Sequence, residues 1–447
     1  MTSNLASITR FVSEAADRPL PPAISDLAKQ CFVDWFAVSL AALPDEAPTL
    51  ARKQTQRWAT SGRAMTLYGD LGAASTAALV NGTLSHSLDF DDMHFATAYH
   101  ASGPTLAAAL AVAMDRGSTG LEVLRAFVAG YEVGATMGAG GIGPRLAAGG
   151  WHPTGVLGHF SSACASAVLL RLSPGEIAHA LGLAATQAGG LQASGGTMAK
   201  PFHVGKAAMN GVLAAELAGL GLTSNTGLID DAEDGLLGRL LQGPVLARFD
   251  DLGCIWQIEG NTFKPYAACQ LTHAPYEAAR SMATQFRQSG LREIRIIVNP
   301  LARKVAGREE ASLPLEGKFC IGYCVALGLL DYEADLTGFT ESRIRDTRLK
   351  ELTSLARVET RDSVERWSAT VELVYRDGSV RRGKCQAVRG SPARPLSWSD
   401  LNQKFLNAAA PPLQHRATDL LDVLHAFDEP GSMVELRHII GASDCQG

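Results

Sequence analysis

The segment from Thr154 to Leu172 reads TGVLGHFSSACASAVLLRL, and it is the clearest indicator of fold class in this chain. It carries no charged side chain before Arg171, and small or apolar residues predominate throughout. A helix that is apolar on all sides is either buried in a large core or inserted in a membrane. Because glycine, serine and histidine interrupt the segment, we interpret it as a buried helix of a protein with no membrane partner.

Two later segments have the same character. Residues 173–191 read SPGEIAHALGLAATQAGGL, and residues 205–219 read GKAAMNGVLAAELAG. Ser173 is followed by a proline and then by Glu176, which predicts a capping box at a helix start. The alanines and glycines of the second segment allow neighbouring helices to approach closely. The three segments together predict the middle of a helical core.

The composition excludes several classes of protein. The 447 residues contain 40 Lys and Arg against 45 Asp and Glu, a net charge of −5, which argues against a nucleic-acid partner. Apolar residues make up 46% of the chain, which is too many for a disordered protein. The first twenty residues contain no long apolar run, and none of the eight cysteines forms a CxxC pair. We therefore expect no targeting segment and a reducing, cytoplasmic location.

The pattern of the chain changes after about residue 255. Strand-like runs occupy residues 294–298, 356–360, 368–375 and 379–388, and Asp377-Gly378 between the last two predicts a hairpin turn. Helical patterns at 272–288 and 320–330 lie among them, and helices resume after Ser397. The sequence predicts a mainly α fold with an inserted α+β domain. We place the all-helical domain at residues 1–255 and 396–447, and the α+β domain at residues 256–395.

A cluster of acids and imidazoles follows one of the predicted helices. Residues 86–94 read HSLDFDDMH, and His100 follows them. Asp91 and Asp92 could simply cap the next segment, and His86 could be a buried structural histidine. A functional interpretation is about equally favoured. Asp and His also bind metals, but neither HxxxH nor HExxH spacing occurs, so we expect no metal.

Two further groups contain candidate functional residues. His152 precedes a helix that Pro153 begins, where the helix N-terminus attracts anions; a simple capping histidine is the alternative. Lys200 and Lys206 are the only Lys or Arg between Arg171 and Arg239. A lysine in such an apolar stretch must reach an anion or solvent. Lys206 has the stronger claim to reach solvent from a helix surface.

A last group lies near the predicted domain boundary. Lys264 and His273 are placed to line a cleft there, with Cys269 between them, although a solvated linker lysine is an equally favoured interpretation. Tyr323 is a candidate acid or hydroxyl donor, or else a buried structural tyrosine.

The chemistry that these residues suggest needs side chains alone. The sequence contains no GxGxxG after a strand, no P-loop and no GxSxG elbow. Lysines together with histidines and one carboxylate suit an anionic substrate. The cations would hold a substrate carboxylate, while a His or Asp removes a proton from the adjacent carbon.

Four motifs in this order resemble one family: LDFDD with a later His, GWHPTGVLG, KPFHVGKAAMNGVLAAELA and FKPYAACQLTH. The chain resembles the MmgE/PrpD family over residues 20 to 410. That family contains 2-methylcitrate dehydratases, cis-aconitate decarboxylases and iminodisuccinate epimerase. The resemblance implies a large helical domain, a smaller α+β lid domain, a homodimer, a cleft between the domains and no cofactor. By motif, the implied active-site residues are Asp89, His100, His152, Lys200, Lys264 and Tyr323.

Some positions depart from the family pattern. Met93 replaces the Thr of DFDDT, and the spacing to His100 looks one residue longer. We expect a lyase, without a cofactor, that removes a proton next to a carboxylate of a small di- or polycarboxylate. Lys200, Lys264 and His273 would bind this substrate. An epimerase of an amino- or iminodicarboxylate such as iminodisuccinate is the first alternative, and a metal-dependent hydrolase is the second.

Overall fold

The first half of the chain is a bundle of helices around one apolar core. The computed structural model describes residues 3–441. The helices of this part are α1 (Asn4–Ala15), α2 (Pro22–Ala41), α3 (Glu46–Trp58), α4 (Ala74–Ser87), α5 (Ser102–Arg116), α6 (Gly120–Gly138), α7 (Ile142–Ala148), α8 (Pro153–Leu169), α9 (Pro174–Gln187), α10 (Ala199–Gly219) and α11 (Leu236–Leu241). Three short strands accompany them, β1 (Ala64–Met65), β2 (Leu71–Gly72) and β3 (Met93–His94).

Helix α8 lies at the centre of this bundle, as predicted. Every residue from Pro153 to Val168 is buried. Helix α10 packs between α4 and α8, and α4 and α10 touch through glycines. A Cβ atom added to Gly82 would lie 2.8 Å from the Cα atom of Gly205, so only glycine permits this approach. The contact holds the start of α10 beside the end of α4, where the acid and imidazole cluster begins.

Two details of the core helices bear on the predictions. The capping box of α9 is present, with Ser173 and Glu176 as its partners. Helix α10 begins at Ala199, six residues before the predicted start at Gly205. The residues before Gly205 include Pro201, and a proline is tolerated in the first helical turn, where its missing N–H has no partner to lose. Lys200 therefore belongs to the first turn of α10.

The α+β domain contains a four-stranded sheet. The elements of the domain are β4 (Asn261–Thr262), α12 (His273–Arg280), β5 (Leu291–Val298), α13 (Pro300–Ala306), α14 (Pro314–Gly317), α15 (Ile321–Leu329), α16 (Glu341–Ile344), α17 (Thr347–Ser354), β6 (Ala356–Thr360), β7 (Ala369–Tyr375) and β8 (Val380–Cys385). The strand order of the sheet is β6-β5-β7-β8, with β5 and β6 parallel and the other pairs antiparallel. Gly378 has a φ of +86° in the turn between β7 and β8, which confirms the predicted hairpin.

One helix of this domain is shorter than its pattern indicated. The helix predicted over residues 272–288 ends at Arg280, and a single 3-10 turn follows at Ala283–Gln285. Most side chains from residue 283 to 290 are exposed, so no apolar stripe supports further helical turns. The chain instead turns into β5.

The last part of the described chain returns to the helical bundle. Its helices are α18 (Trp398–Leu413), α19 (Arg416–His425) and α20 (Ser432–Gly441). Helices α18 and α19 pack on α2. The mainly α fold with an inserted α+β domain is confirmed, while the boundaries at residues 255/256 and 395/396 remain predictions. Cys445 lies outside the described residues. Between residues 3 and 441, no helix combines the length and the apolarity that a membrane span requires.

A buried glutamate connects the two parts of the fold. The carboxylate of Glu132 in α6 accepts hydrogen bonds from the backbone N–H groups of Gln257 at 2.7 Å and Ile258 at 2.9 Å. The chain then enters β4, which pairs with β3 through Met93 opposite Thr262. These contacts fix the connecting segment just before Lys264.

The buried carboxyl of Glu132 should make stability depend on pH. Burial raises the pKa of Glu132 to about 7, although the two backbone donors oppose this. An acid whose pKa is higher in the folded state loses stability as pH rises from its unfolded pKa towards its folded pKa. Glu132→Gln should remove this term, so between pH 5 and pH 8 the wild type should lose about 2–3 kcal/mol relative to the variant. Urea denaturation at both pH values measures the difference, and an unchanged difference between the proteins would contradict it.

Candidate active site

A cavity of about 60 Å³ lies where the helical bundle meets the α+β domain. Five of the six residues that the motifs predict as catalytic line it: Asp89, His100, His152, Lys200 and Lys264. The structure thus brings together residues that are up to 175 positions apart in sequence.

Three long helices begin at this cavity. His100 comes just before α5, His152 is the N-cap residue of α8, and Lys200 is the second residue of α10. The N-terminus of a helix carries partial positive charge and free N–H groups, which favour a bound anion. The backbone therefore favours anions at the side of the cavity formed by the bundle.

Asp89 lies between two lysines. The ammonium of Lys200 donates to Oδ1 of Asp89 at 2.5 Å, and the ammonium of Lys264 lies 3.4 Å from Oδ2. Lys264 also donates to the backbone carbonyl of Asp89 at 2.8 Å. All three side chains are buried. Burial alone would raise the pKa of Asp89, but the two lysines outweigh it and hold that pKa below its ordinary value.

The backbone at Asp89 is strained. Its φ is +51°, in the left-handed region that a residue with a side chain seldom occupies. Such a conformation persists only where the surroundings hold it in place. The hydrogen bond from Lys264 to the carbonyl of Asp89 is one such restraint. A second comes from Lys318, whose ammonium donates to the carbonyl of Leu88.

His86 connects one of these lysines to a second carboxylate. Its Nδ1 lies 2.7 Å from Oδ2 of Asp91, and its Nε2 lies 2.7 Å from the ammonium of Lys200. Burial lowers the pKa of His86 to about 3, so the ring is neutral near pH 7. Because an ammonium can only donate, Nε2 of His86 is the acceptor and Nδ1 carries the proton. Lys200 then has one N–H left for a ligand.

His100 and His152 are neutral imidazoles beside this group. Burial lowers the pKa of His100, although Asp91 opposes the shift from 3.1 Å away. Burial, followed by the nearby Lys200, lowers the pKa of His152 well below its ordinary value. The ring of His152 stacks on that of His86 at 5.5 Å, and its Nδ1 lies 3.2 Å from Nδ1 of His203. A neutral imidazole is able to accept a proton from a substrate.

Two predicted residues do not reach the cavity. The hydroxyl of Tyr323 donates to the carbonyl of Gly338 at 2.8 Å, inside the α+β domain. Nε2 of His273 donates to the carbonyl of Ala268 at 3.1 Å, and its ring packs on Tyr266. Neither side chain lines the cavity, although Nδ1 of His273 is buried without a hydrogen-bond partner among the described residues. We therefore leave Tyr323 out of the proposed catalytic set and His273 out of the proposed substrate-binding set.

The sequence interpretation missed a buried lysine behind the site. The ammonium of Lys404 in α18 donates to Oδ1 of Asp34 at 2.7 Å and to the carbonyls of Phe90 at 2.8 Å and Lys264 at 3.0 Å. It thereby connects the returning helix to the loops that carry Asp89 and Lys264. One signal was available, because Lys404 lies on the same helical face as Leu401 and Ala408.

The same geometry bears on the metal alternative. His86, Asp89 and His100 each place a possible ligand atom within 4.8 Å of the others. However, the ammonium of Lys200 already contacts His86 Nε2 at 2.7 Å and Asp89 Oδ1 at 2.5 Å. A divalent cation at this position would be repelled by that charge. The arrangement therefore does not favour a metal-dependent hydrolase, and the absence of a bound metal remains a prediction.

Comparison with known proteins establishes the family. The model of the MmgE/PrpD N-terminal domain matches residues 6–248, and the model of the MmgE/PrpD C-terminal domain matches residues 266–426. The chain belongs to the MmgE/PrpD family. The match to the C-terminal domain model extends into α18 and α19, the helices with which the chain returns to the helical bundle.

Three curated relatives are similar over most of their length. A cis-aconitate decarboxylase of Aspergillus terreus is 27% identical over 363 residues, which cover 75% of this chain and 74% of the relative. The cis-aconitate decarboxylase of Homo sapiens is 29% identical over 349 residues, covering 74% and 71%. That of Mus musculus is 27% identical over 379 residues, covering 79% and 75%. This MmgE/PrpD chain is thus similar to lyases of the decarboxylase type.

Removing Lys404 should destabilise the protein strongly. Lys404→Met leaves the carboxylate of Asp34 and two buried carbonyls without their donor, and the loss of one partner of a buried pair costs about 3–5 kcal/mol. The double variant Asp34→Asn/Lys404→Met should lose less than the single variant, because no unpaired charge remains. Urea denaturation measures both. Lys350→Met, at an exposed position, is the control.

The double variant also shows which result would contradict the predicted coupling of Asp34 and Lys404. If the effects of Asp34→Asn and Lys404→Met simply add, the two side chains are energetically independent. The buried network behind the site would then contribute nothing as a unit.

Proposed function

We propose that this MmgE/PrpD protein is a lyase that develops negative charge on a carbon next to a carboxylate of a small di- or polycarboxylate. The observation that carries the proposal is the position of Lys200 and Lys264, which meet at one ionised Asp89 beside neutral imidazoles. The three helix N-termini at the same cavity add to the preference for an anion. The similarity to cis-aconitate decarboxylases supports a lyase and favours decarboxylation.

The lysines and the imidazoles have separate roles in this proposal. The free N–H of Lys200 and the ammonium of Lys264 hold a substrate carboxylate. Loss of CO2, or transfer of a proton to His152, leaves an electron pair on the carbon next to that carboxylate. This electron pair delocalises into the carboxylate. The two ammonium groups stabilise the enolate-like charge. The free-energy cost of forming that charge is the main part of the activation barrier in such reactions. Protonation of the carbon, or departure of hydroxide, completes the reaction.

This chemistry uses only side chains of the chain. We therefore propose that the enzyme needs no cofactor. The homodimer expected from the family resemblance remains a prediction. The cytoplasmic location expected from the cysteine pattern also remains a prediction.

An epimerase is the second candidate, and one observation favours it. Met93 lines the cavity, where the resemblance led us to compare it with a threonine. A thioether offers no hydroxyl to a departing hydroxide. Without a leaving group, the same carbanion would be protonated on its opposite face, and the substrate would be epimerised.

Two substitutions test the proposed roles. Lys200→Met should reduce kcat/KM about 10- to 150-fold, because a charge-assisted contact contributes roughly 1.5–3 kcal/mol. His152→Gln should reduce mainly kcat, by about 10²–10⁴-fold, because an acid–base group contributes chiefly in the transition state. Lys206→Met is the matched control, since that lysine lies on the same helix and donates to the carbonyl of Gln187.

The assay should offer a panel of di- and tricarboxylates, cis-aconitate among them, in deuterated buffer. Release of CO2 or water with a deuterated product would support the lyase. Deuterium at the α-carbon without either release would point to the epimerase. If Lys200→Met and His152→Gln both kept wild-type activity on the substrate found, the proposed site would be wrong.

A further inference from the structure

The two walls of the cavity differ in charge. The wall from the α+β domain is formed by Cys269, Gln270, Leu271, Leu301, Val305 and other residues that include Phe319 and Trp367. Lys264 also comes from the α+β domain, but it lies against Asp89. No other described residue of that wall carries a charge, and its polar members are one thiol and one amide. The charged lining groups therefore meet at one point of the cavity, where Lys200 and Lys264 contact Asp89.

The charged side has little positive charge to spare. Lys200 and Lys264 bring two positive charges, and Asp89 between them offsets one. The neighbouring buried cations are already engaged, since Lys318 donates to the carbonyl of Leu88 and Lys404 pairs with Asp34. The imidazoles of the site are neutral near pH 7. Among the lining side chains the excess is therefore one charge, supplemented by the partial charges of three helix N-termini.

The apolar wall is built to receive a hydrocarbon group. Leu301 and Val305 lie four residues apart on α13 and so share one helical face. Trp367 is held by its contact with Phe95, whose ring centroid lies 4.6 Å from that of Trp367. A carboxylate placed against Leu301 and Val305 would lose its hydration, and neither side chain offers it a hydrogen-bond donor. A branched alkyl group there would gain from burial.

We infer that the substrate carries at most two carboxylates, both at the end that faces the helical bundle, and an uncharged apolar branch at the end that faces the α+β domain. This inference rests on the proposed function, because it uses the lysines as the carboxylate site. It distinguishes this chain's substrate from tricarboxylates such as cis-aconitate.

A pair of unreactive ligands of equal shape tests the inference. Tricarballylate and 2-isobutylsuccinate share a succinate core and differ in one branch, which is carboxymethyl in the first and isobutyl in the second. Isothermal titration of the wild-type protein should show at least ten-fold tighter binding of one enantiomer of 2-isobutylsuccinate. Equal or tighter binding of tricarballylate would overturn the inference, as would binding of neither ligand.

A cation placed on the apolar wall should reverse this preference. Leu301→Lys adds a charge at a half-buried position of α13. It should tighten the binding of tricarballylate at least ten-fold and weaken the binding of 2-isobutylsuccinate. Val380→Lys, at an exposed position of β8, is the control for net charge. If both variants change the two affinities alike, the wall does not contact the branch and the inference is wrong.

Lys200→Met separates this inference from the proposed function. It should weaken both ligands by the same factor, about ten-fold or more, because both present the same succinate carboxylates to the lysine. A preference for tricarballylate that still depends on Lys200 would overturn the substrate class alone. If Lys200→Met changed neither affinity, the carboxylate site itself would be wrong, and both proposals would fall.

Discussion

The buried contact of Asp89 with Lys200 and Lys264 is the interaction on which the site depends. An isolated ammonium in a dry interior is very costly, and two ammonium groups close together also repel each other. A single carboxylate between them offsets both costs, since it lies 2.5 Å from one and 3.4 Å from the other. The contact requires the end of α4, the start of α10 and the connecting segment after β4 to meet at one point. Much of the fold can be understood as the means of achieving this.

The supports of that point lie well away from the cavity. Glycine contacts bring α4 and α10 together, and Glu132 fixes the segment that precedes Lys264. Lys404 connects the returning helix to the loops on both sides. A buried charge network of this kind contributes little net stability, but it fixes one geometry because every alternative leaves a charge unpaired.

The same burial divides the chemical roles. It favours the neutral form of each imidazole, so the pKa values of His86, His100 and His152 are all lowered. Asp89 is kept ionised by its two lysines, against the effect of burial. Cations that hold an anion therefore lie beside neutral bases that accept a proton. A protonated imidazole at this position would repel the ammonium groups.

Local patterns predicted much of this structure. The apolar character of α8, the capping box at Ser173 and the Asp377-Gly378 hairpin each depend on neighbouring residues, so the sequence displays them directly. The four motifs located five side chains of the cavity because their backbone positions are fixed by helix starts and loops. Tyr323 and His273 do not line the cavity, and the reason lies in their packing. Their positions in sequence suggested the cavity, but the direction of each side chain is set by packing inside its own domain. Lys404 was missed because its partners come from three distant segments.

The central claim is that Asp89 is an ionised counter-ion and not a protonated acid. Infrared difference spectroscopy between the wild type and Asp89→Asn measures this directly, and Glu132→Gln is the positive control. At pH 6 the Glu132→Gln difference should show the loss of a protonated carboxylic acid, because the pKa of Glu132 is raised to about 7. The Asp89→Asn difference should show only the loss of a carboxylate, down to the lowest pH at which the protein stays folded. Loss of a protonated-acid band on Asp89→Asn between pH 5 and pH 8 would contradict the account.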